Sequence, residues 1–167
     1  EQRKTYRKAL DDLTSKYSNV IDLENVPVAD LDGLTIVALG GNDNPRFNVP
    51  EGYLRTKEDF ERLGELAKQH SSDKPLLIAT HIPQKYSTKR GLDIVDSGGM
   101  NVGGVDLARV RKVIDSKFGV SGHIHEAYGI VTPDEQLIKQ GELSDRLDFN
   151  PGAVYDHLQR PNLRPAA

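Results

Sequence analysis

Apolar residues at 6, 10, 13 and 17 (Tyr6, Leu10, Leu13, Tyr17) recur three and four apart among charged neighbours, which predicts an amphipathic helix over residues 1–17. Alternation over 26–31 predicts a strand, Asp32-Gly33 a turn, and the apolar run 34–39 a second strand stopped by Gly40-Gly41. Two prolines and several turn formers make 42–56 a loop. Thr56 followed by Asp59 reads as a helix start, and Phe60, Leu63, Leu66 and Ala67 carry the stripe of a helix to about residue 69. The short apolar run 75–79 predicts a buried strand, and the Gly-rich, polar segment 81–104 a long loop. Val105, Ala108, Val110 and Val113 predict a helix over 105–116. Short strands are expected over 118–121, 128–131, 136–139 and 147–149, with a turn at Asn150-Pro151-Gly152.

Strand–helix–strand order through 75–121 implies an α/β fold with a parallel pair, and the hairpins to either side imply a mixed sheet. At 167 residues, 37% of them hydrophobic, the chain has the size and apolar content of one domain, 1–167. A net charge of -3 gives no electrostatic reason for a nucleic-acid partner or a membrane surface. The absence of cysteine excludes disulfides and thiolate metal sites, so any metal is held by His, Asp, Glu or Asn. No signal-peptide pattern opens the chain and no apolar run approaches the ~18 residues of a span, so a cytoplasmic location is expected. Glu1 as first residue, with Met100 the only methionine, suggests a start that is not the translation start.

The candidate chemistry lies in three histidines just past predicted strands. His81 follows PLLIAT, and His123 and His125 follow FGVSG. Strand ends at the rim of an α/β sheet are where such folds place ligands. In an extended segment His123 and His125 would project to one side, able to reach one ion or two neighbouring ions. Taken alone, His81 reads as a hydrogen-bonded loop residue; three strand-end histidines together read as a metal site. His70 and His157 have no motif around them and read as surface residues, and Lys89-Arg90 as solvated loop bases.

The segments IATHIP ending on His81 and SGHIHEAYG with His123 and His125, the loop NVGG before a helix, and Asn150-Pro151-Gly152 resemble the C-terminal half of calcineurin-like metallophosphoesterases of the compact bacterial and archaeal type. The resemblance implies a four-layer α-β-β-α sandwich with mixed sheets. It implies two divalent metal ions (Mn, Fe, Zn or Mg), His81 and His123 on one and His125 on the other, and a phosphoester substrate, so that the complete domain is a phosphatase or phosphodiesterase. Asp93 would orient a histidine, or else be a solvated loop carboxylate; Asn150 would lie beneath the metal loops, or else belong to a plain turn near the site.

The family's D-x-H and G-D-x-x-D blocks are absent from the chain. Gly41-Asn42-Asp43-Asn44 imitates the family's G-N-H-[DE] block, but it follows a hairpin that in the family comes after that block, so Asn42 is set aside as a ligand. The expectation is therefore an N-terminal metal-binding half outside this chain, in the same gene product or in a partner chain, and no catalytic residue within it. Three neutral imidazoles leave two dications uncompensated by ~4 charges, so the isolated chain is expected to be inactive. The alternatives are a non-catalytic binding or scaffolding module of the same fold, and one half of a split enzyme. Prolines 161 and 165 in the closing segment suggest truncation there, with a sheet edge beside 147–149 lacking its neighbour.

Overall fold

The computed structural model describes residues 2–47, 52–71, 74–95, 98–139 and 141–152. The expectations for His157 and for the tail 159–167 lie outside the described residues. The chain is a mixed α/β fold. Helix α1 (Gln2–Lys16) precedes strands β1 (Val28–Leu31) and β2 (Leu34–Leu39); then come α2 (Lys57–Gln69), β3 (Leu76–Thr80), β4 (Ile94–Val95), β5 (Met100–Asn101), α3 (Val105–Ile114), β6 (Phe118–Val120), β7 (Gly129–Val131) and β8 (Leu147–Asn150).

Six strands form one sheet in the order β1-β2-β3-β6-β8-β7. The four central strands run parallel; β1 and β7 join antiparallel at the edges. Each parallel step from β2 to β3 and from β3 to β6 contains a helix, because a parallel return requires a crossover. The strand β8 is therefore paired on both sides, by β6 and β7, and the expected vacant edge beside 147–149 is not there.

Register divides the sheet into two unlike faces. Val37, Ile78, Gly119 and Asp148 align on one face, under α2 and α3. There Val37, Ile78, Phe60, Leu63, Ala67 and Leu107 form the main core. Helix α2 follows its predicted stripe, and the Asp59 carboxylate accepts the Thr56 N–H at 2.9 Å, the return half of a capping box. A Cβ on Gly64 would lie 3.0 Å from Val110 Cγ1, so the missing side chain lets α2 and α3 approach. On the opposite face Ile36, Leu77, Phe118 and Leu147 align, as do Ala38, Ala79, Val120 and Phe149. All of these but Ala38 keep exposed surface.

Several elements depart from the pattern reading. Helix α1 forms, but Tyr6, Leu13 and Tyr17 of its stripe are exposed. Segment 81–104 is not structureless: β4 and β5 pair as a hairpin within it. The run 136–139 is shorter than a full strand: after a turn with Glu135 at φ 64 it returns antiparallel beside β7, with the Val131–Leu137 bridge flanked by the Thr132 N–H donating to the Gln136 carbonyl at 2.8 Å and the Ile138 N–H to the Ile130 carbonyl at 3.1 Å, and Leu137 is exposed. Helix α3 stops at Ile114 because Asp115 takes the left-handed conformation, φ 47. No helix among the described residues is long and apolar enough to cross a membrane.

Candidate functional site

Because β3 and β6 are parallel neighbours, the segments leaving their C-terminal ends lie side by side. His81 directly follows β3, and the Gly122 N–H donates to its carbonyl at 3.0 Å, which ties the histidine loop of β6 to the end of β3. That loop is not extended. The Ile124 N–H donates to the Gly122 carbonyl at 2.7 Å, His123 sits at φ 64, and His125 opens a 3-10 turn, His125–Ala127. The simple i, i+2 argument for His123 and His125 therefore fails. The turn instead swings the His123 ring onto His81. A non-glycine residue in this region carries strain that the surrounding contacts hold in place.

His81 Nε2 and His123 Nδ1 lie 3.0 Å apart, with ring centroids at 4.8 Å and planes at 63°. Burial of part of each ring holds both pKa values below the usual histidine range. The neighbouring His125 adds to this for His81; His81 and then His125 add to it for His123, with Glu126 opposing. The pair is thus neutral near pH 7, the form that ligates metals.

Asn42, set aside by sequence reasoning, is buried and joins the pair. Its Nδ2 is 3.4 Å from His123 Nε2, and its Oδ1 accepts the Asn44 N–H at 3.0 Å. It leaves β2 beside His81's strand, so the strand-end logic that selects His81 could have selected it. Its backbone is fixed from the other side, its N–H donating to the Tyr53 carbonyl at 2.8 Å and its carbonyl accepting the Arg55 N–H at 2.7 Å.

Asn150 is fully buried. Its Nδ2 donates to the Ile124 carbonyl at 2.8 Å and its Oδ1 accepts the Gly152 N–H at 2.9 Å, so it lies beneath the histidine turn. Asp93 is also fully buried rather than solvated. It accepts from the Tyr86 N–H at 3.1 Å, the Gly103 N–H at 2.9 Å and Asn101 Nδ2 at 2.6 Å, fastening segment 86–103 to itself. The β4 strand of that segment packs against the His125–Ala127 turn, so the segment borders the site. Lys89 and Arg90 are exposed.

Two nitrogens bound to one tetrahedral ion at ~2.1 Å stand about 3.4 Å apart, so the His81–His123 pair, hydrogen-bonded at 3.0 Å, would open by a few tenths of an ångström to hold one. Among the described residues no group of three or more His, Asp or Glu side chains is set to hold one ion. The structure therefore brings together two imidazoles and an amide, with His125 adjacent and the Glu126 charge near His123.

A second carboxylate fastens the same loop. Glu135 accepts from the Ser87 N–H and Oγ at 2.8 and 2.6 Å and from the Thr88 N–H at 2.6 Å. Burial pushes its pKa up, but these hydrogen bonds outweigh burial and hold it below the ordinary 4.5. A depressed folded-state value means the contact is complete above the ordinary glutamate range and is lost as pH falls through the folded-state value. The Ser87 and Thr88 amide proton shifts should accordingly titrate together with a midpoint below 4.5, and Glu135→Gln should abolish the transition. A midpoint at or above 4.5 would show that the contact does not persist in solution.

No family model and no curated protein matches the chain. Among solved structures, one crystal structure superposes with a TM-score of 0.53 at 12% identity, over 77% of this chain and 45% of that one. Another, TT1561 of Thermus thermophilus, gives 0.46 at 12% identity, over 77% of this chain and 48% of its own. The first supports a shared mixed α/β fold. The chain spans about half the length of either structure.

Proposed function

We propose that this chain is the histidine-bearing part of a metal-dependent phosphoesterase of the calcineurin-like type, with a phosphate monoester or diester as substrate. The carrying observation is the contact of His81 with His123 at the C-terminal ends of adjacent parallel strands. In this reading His81 and His123 offer neutral nitrogens to one divalent ion and His125 to a second, the ions being Mn, Fe, Zn or Mg. When bound, the metal pair supplies a water of lowered pKa and charge stabilisation on phosphoryl oxygens. Within this chain, Asn150 holds the Ile124 carbonyl between the two histidines of the turn, and Asp93 and Glu135 hold the bordering loop.

The acidic ligands would come from a segment outside this chain, as the missing D-x-H and G-D-x-x-D blocks imply. Support comes from the sheet itself: α2 and α3 pack on one face, while the other presents Leu77, Phe118, Val120 and Phe149. A second sheet laid on that face would complete an α-β-β-α sandwich. The test uses the purified chain with a chromogenic phosphodiester and added Mn or Zn. Turnover should be indistinguishable from buffer, while Zn should bind weakly and His123→Ala should abolish that binding. Robust metal-dependent hydrolysis would overturn the missing half, and Zn binding insensitive to His123→Ala would overturn the site.

A further inference from the structure

We propose that Asn42 fixes the tautomer of His123, holding the ring proton on Nδ1 and the lone pair on Nε2. A hydrogen bond from the backbone favours one orientation of the Asn42 amide. Its oxygen accepts the Asn44 N–H at 3.0 Å, so the NH2 group faces His123 Nε2 at 3.4 Å. An NH2 group only donates, so Nε2 presents its lone pair. A neutral imidazole carries one ring proton, which then resides on Nδ1 and donates to His81 Nε2 at 3.0 Å. His81 in turn keeps its own proton on Nδ1. The three groups form a directed chain, Asn42 to His123 to His81. Residues 53 and 55 hold Asn42 from its backbone side, so the amide is placed without the help of either ring.

This arrangement bears on metal entry, and here the inference rests on the metal-site reading above. The nitrogen of His123 that faces His81 carries the proton. An ion seated between the two rings needs that proton moved to Nε2, where it would meet the amide NH2, donor against donor. Turning the amide over relieves the clash but gives up the Asn44 hydrogen bond. Asn42 is thus a positioning residue that disfavours the ligating tautomer of His123. A carboxylate in its place would accept from Nε2–H and favour it, as the partners of metal-bound histidines do.

The experiment is a long-range 1H–15N correlation spectrum of the histidine rings, recorded without metal on the wild-type chain and on Asn42→Asp, followed by zinc titration of both. The wild type should show a protonated Nδ1 and an unprotonated Nε2 for His123; the reverse pattern overturns the proposal without any variant. Asn42→Asp should move the proton to Nε2, and should bind zinc about tenfold tighter or more. A folded Asn42→Asp that keeps Nδ1–H also overturns it. If the proton moves and zinc affinity does not respond, the tautomer assignment stands and the metal-site reading falls.

Discussion

Asp148→Ala is expected to destabilise the chain by about 3–5 kcal/mol, the range for removing one partner of a buried ion pair. Asp148 and Arg111 are 3% and 7% exposed, and Arg111 Nη1 lies 2.5 Å from Asp148 Oδ1. The approach is charge against charge: among the described residues neither Asp148 Oδ1 nor Arg111 Nε has a well-directed hydrogen bond. The other carboxylate oxygen accepts from Gln84 Nε2 at 2.9 Å and from the Tyr86 hydroxyl at 2.6 Å. One carboxylate thereby joins β8, α3 and the start of the loop that follows His81. Burial, and then the Asp148 charge, push the Tyr86 phenol well above its usual range, which keeps it a donor at any working pH. The pair needs the bare backbone of β6, since a Cβ on Gly119 would collide with both Asp148 Oδ1 and Arg111 Nη1. Alanine at 148 leaves the guanidinium buried with its charge unmatched and only a 3.4 Å contact from Nη2 to the Ser116 carbonyl among its described hydrogen bonds. Urea unfolding measures the loss. The double variant Asp148→Leu, Arg111→Met removes both charges and should recover most of it. A loss under about 1 kcal/mol for Asp148→Ala would mean that water reaches the pair in solution.

What could be read from the sequence was what local spacing controls. The α2 stripe of Phe60, Leu63 and Ala67, its start at Thr56, and the buried runs of β2 and β3 all follow from residues within a few positions of one another. The α1 stripe shows the limit of that reading. Periodicity makes the helix, but burial of Tyr6 and Leu13 requires a surface to receive them, and spacing says nothing of it. The β4–β5 hairpin has two residues per strand, too few for alternation to register. At the site, strand ends located His81 and His123, whereas the φ 64 turn that presses their rings together is a property of the assembled loop. Asn42 meets His123 across 81 positions of sequence. Block order along the chain separates it from the histidines. The contact arises from the lateral order of strands, which a linear comparison does not contain.

The apolar face of the sheet should make the isolated chain associate with itself, and Phe149→Lys should reverse this. The aligned positions Ile36, Leu77, Phe118, Leu147, Ala79, Val120 and Phe149 are half-buried or exposed, in a fold whose opposite face holds Val37 at 0% and Ile78 at 1%. A strand buried on both faces reads as a continuous apolar run, and LTIVAL of β2 has that composition although its second face is only partly covered. Contiguous apolar surface of this kind marks an interaction site. Covering the remaining half of each such side chain is worth about 1 kcal/mol on each copy, so the two faces together offer roughly 10 kcal/mol against an association cost of roughly 4 kcal/mol or more. Association should therefore be weak, on the order of tens of micromolar. Phe149 is the most exposed member of the face, at 38%, so a lysine there can reach water from the monomer but not from within a dimer. Sedimentation velocity across a concentration series should show a reversible dimer for the wild type and at least tenfold weaker association for Phe149→Lys, with the urea midpoint nearly unchanged. A wild-type chain that stays monomeric at hundreds of micromolar would sink the idea that this face is built to be covered.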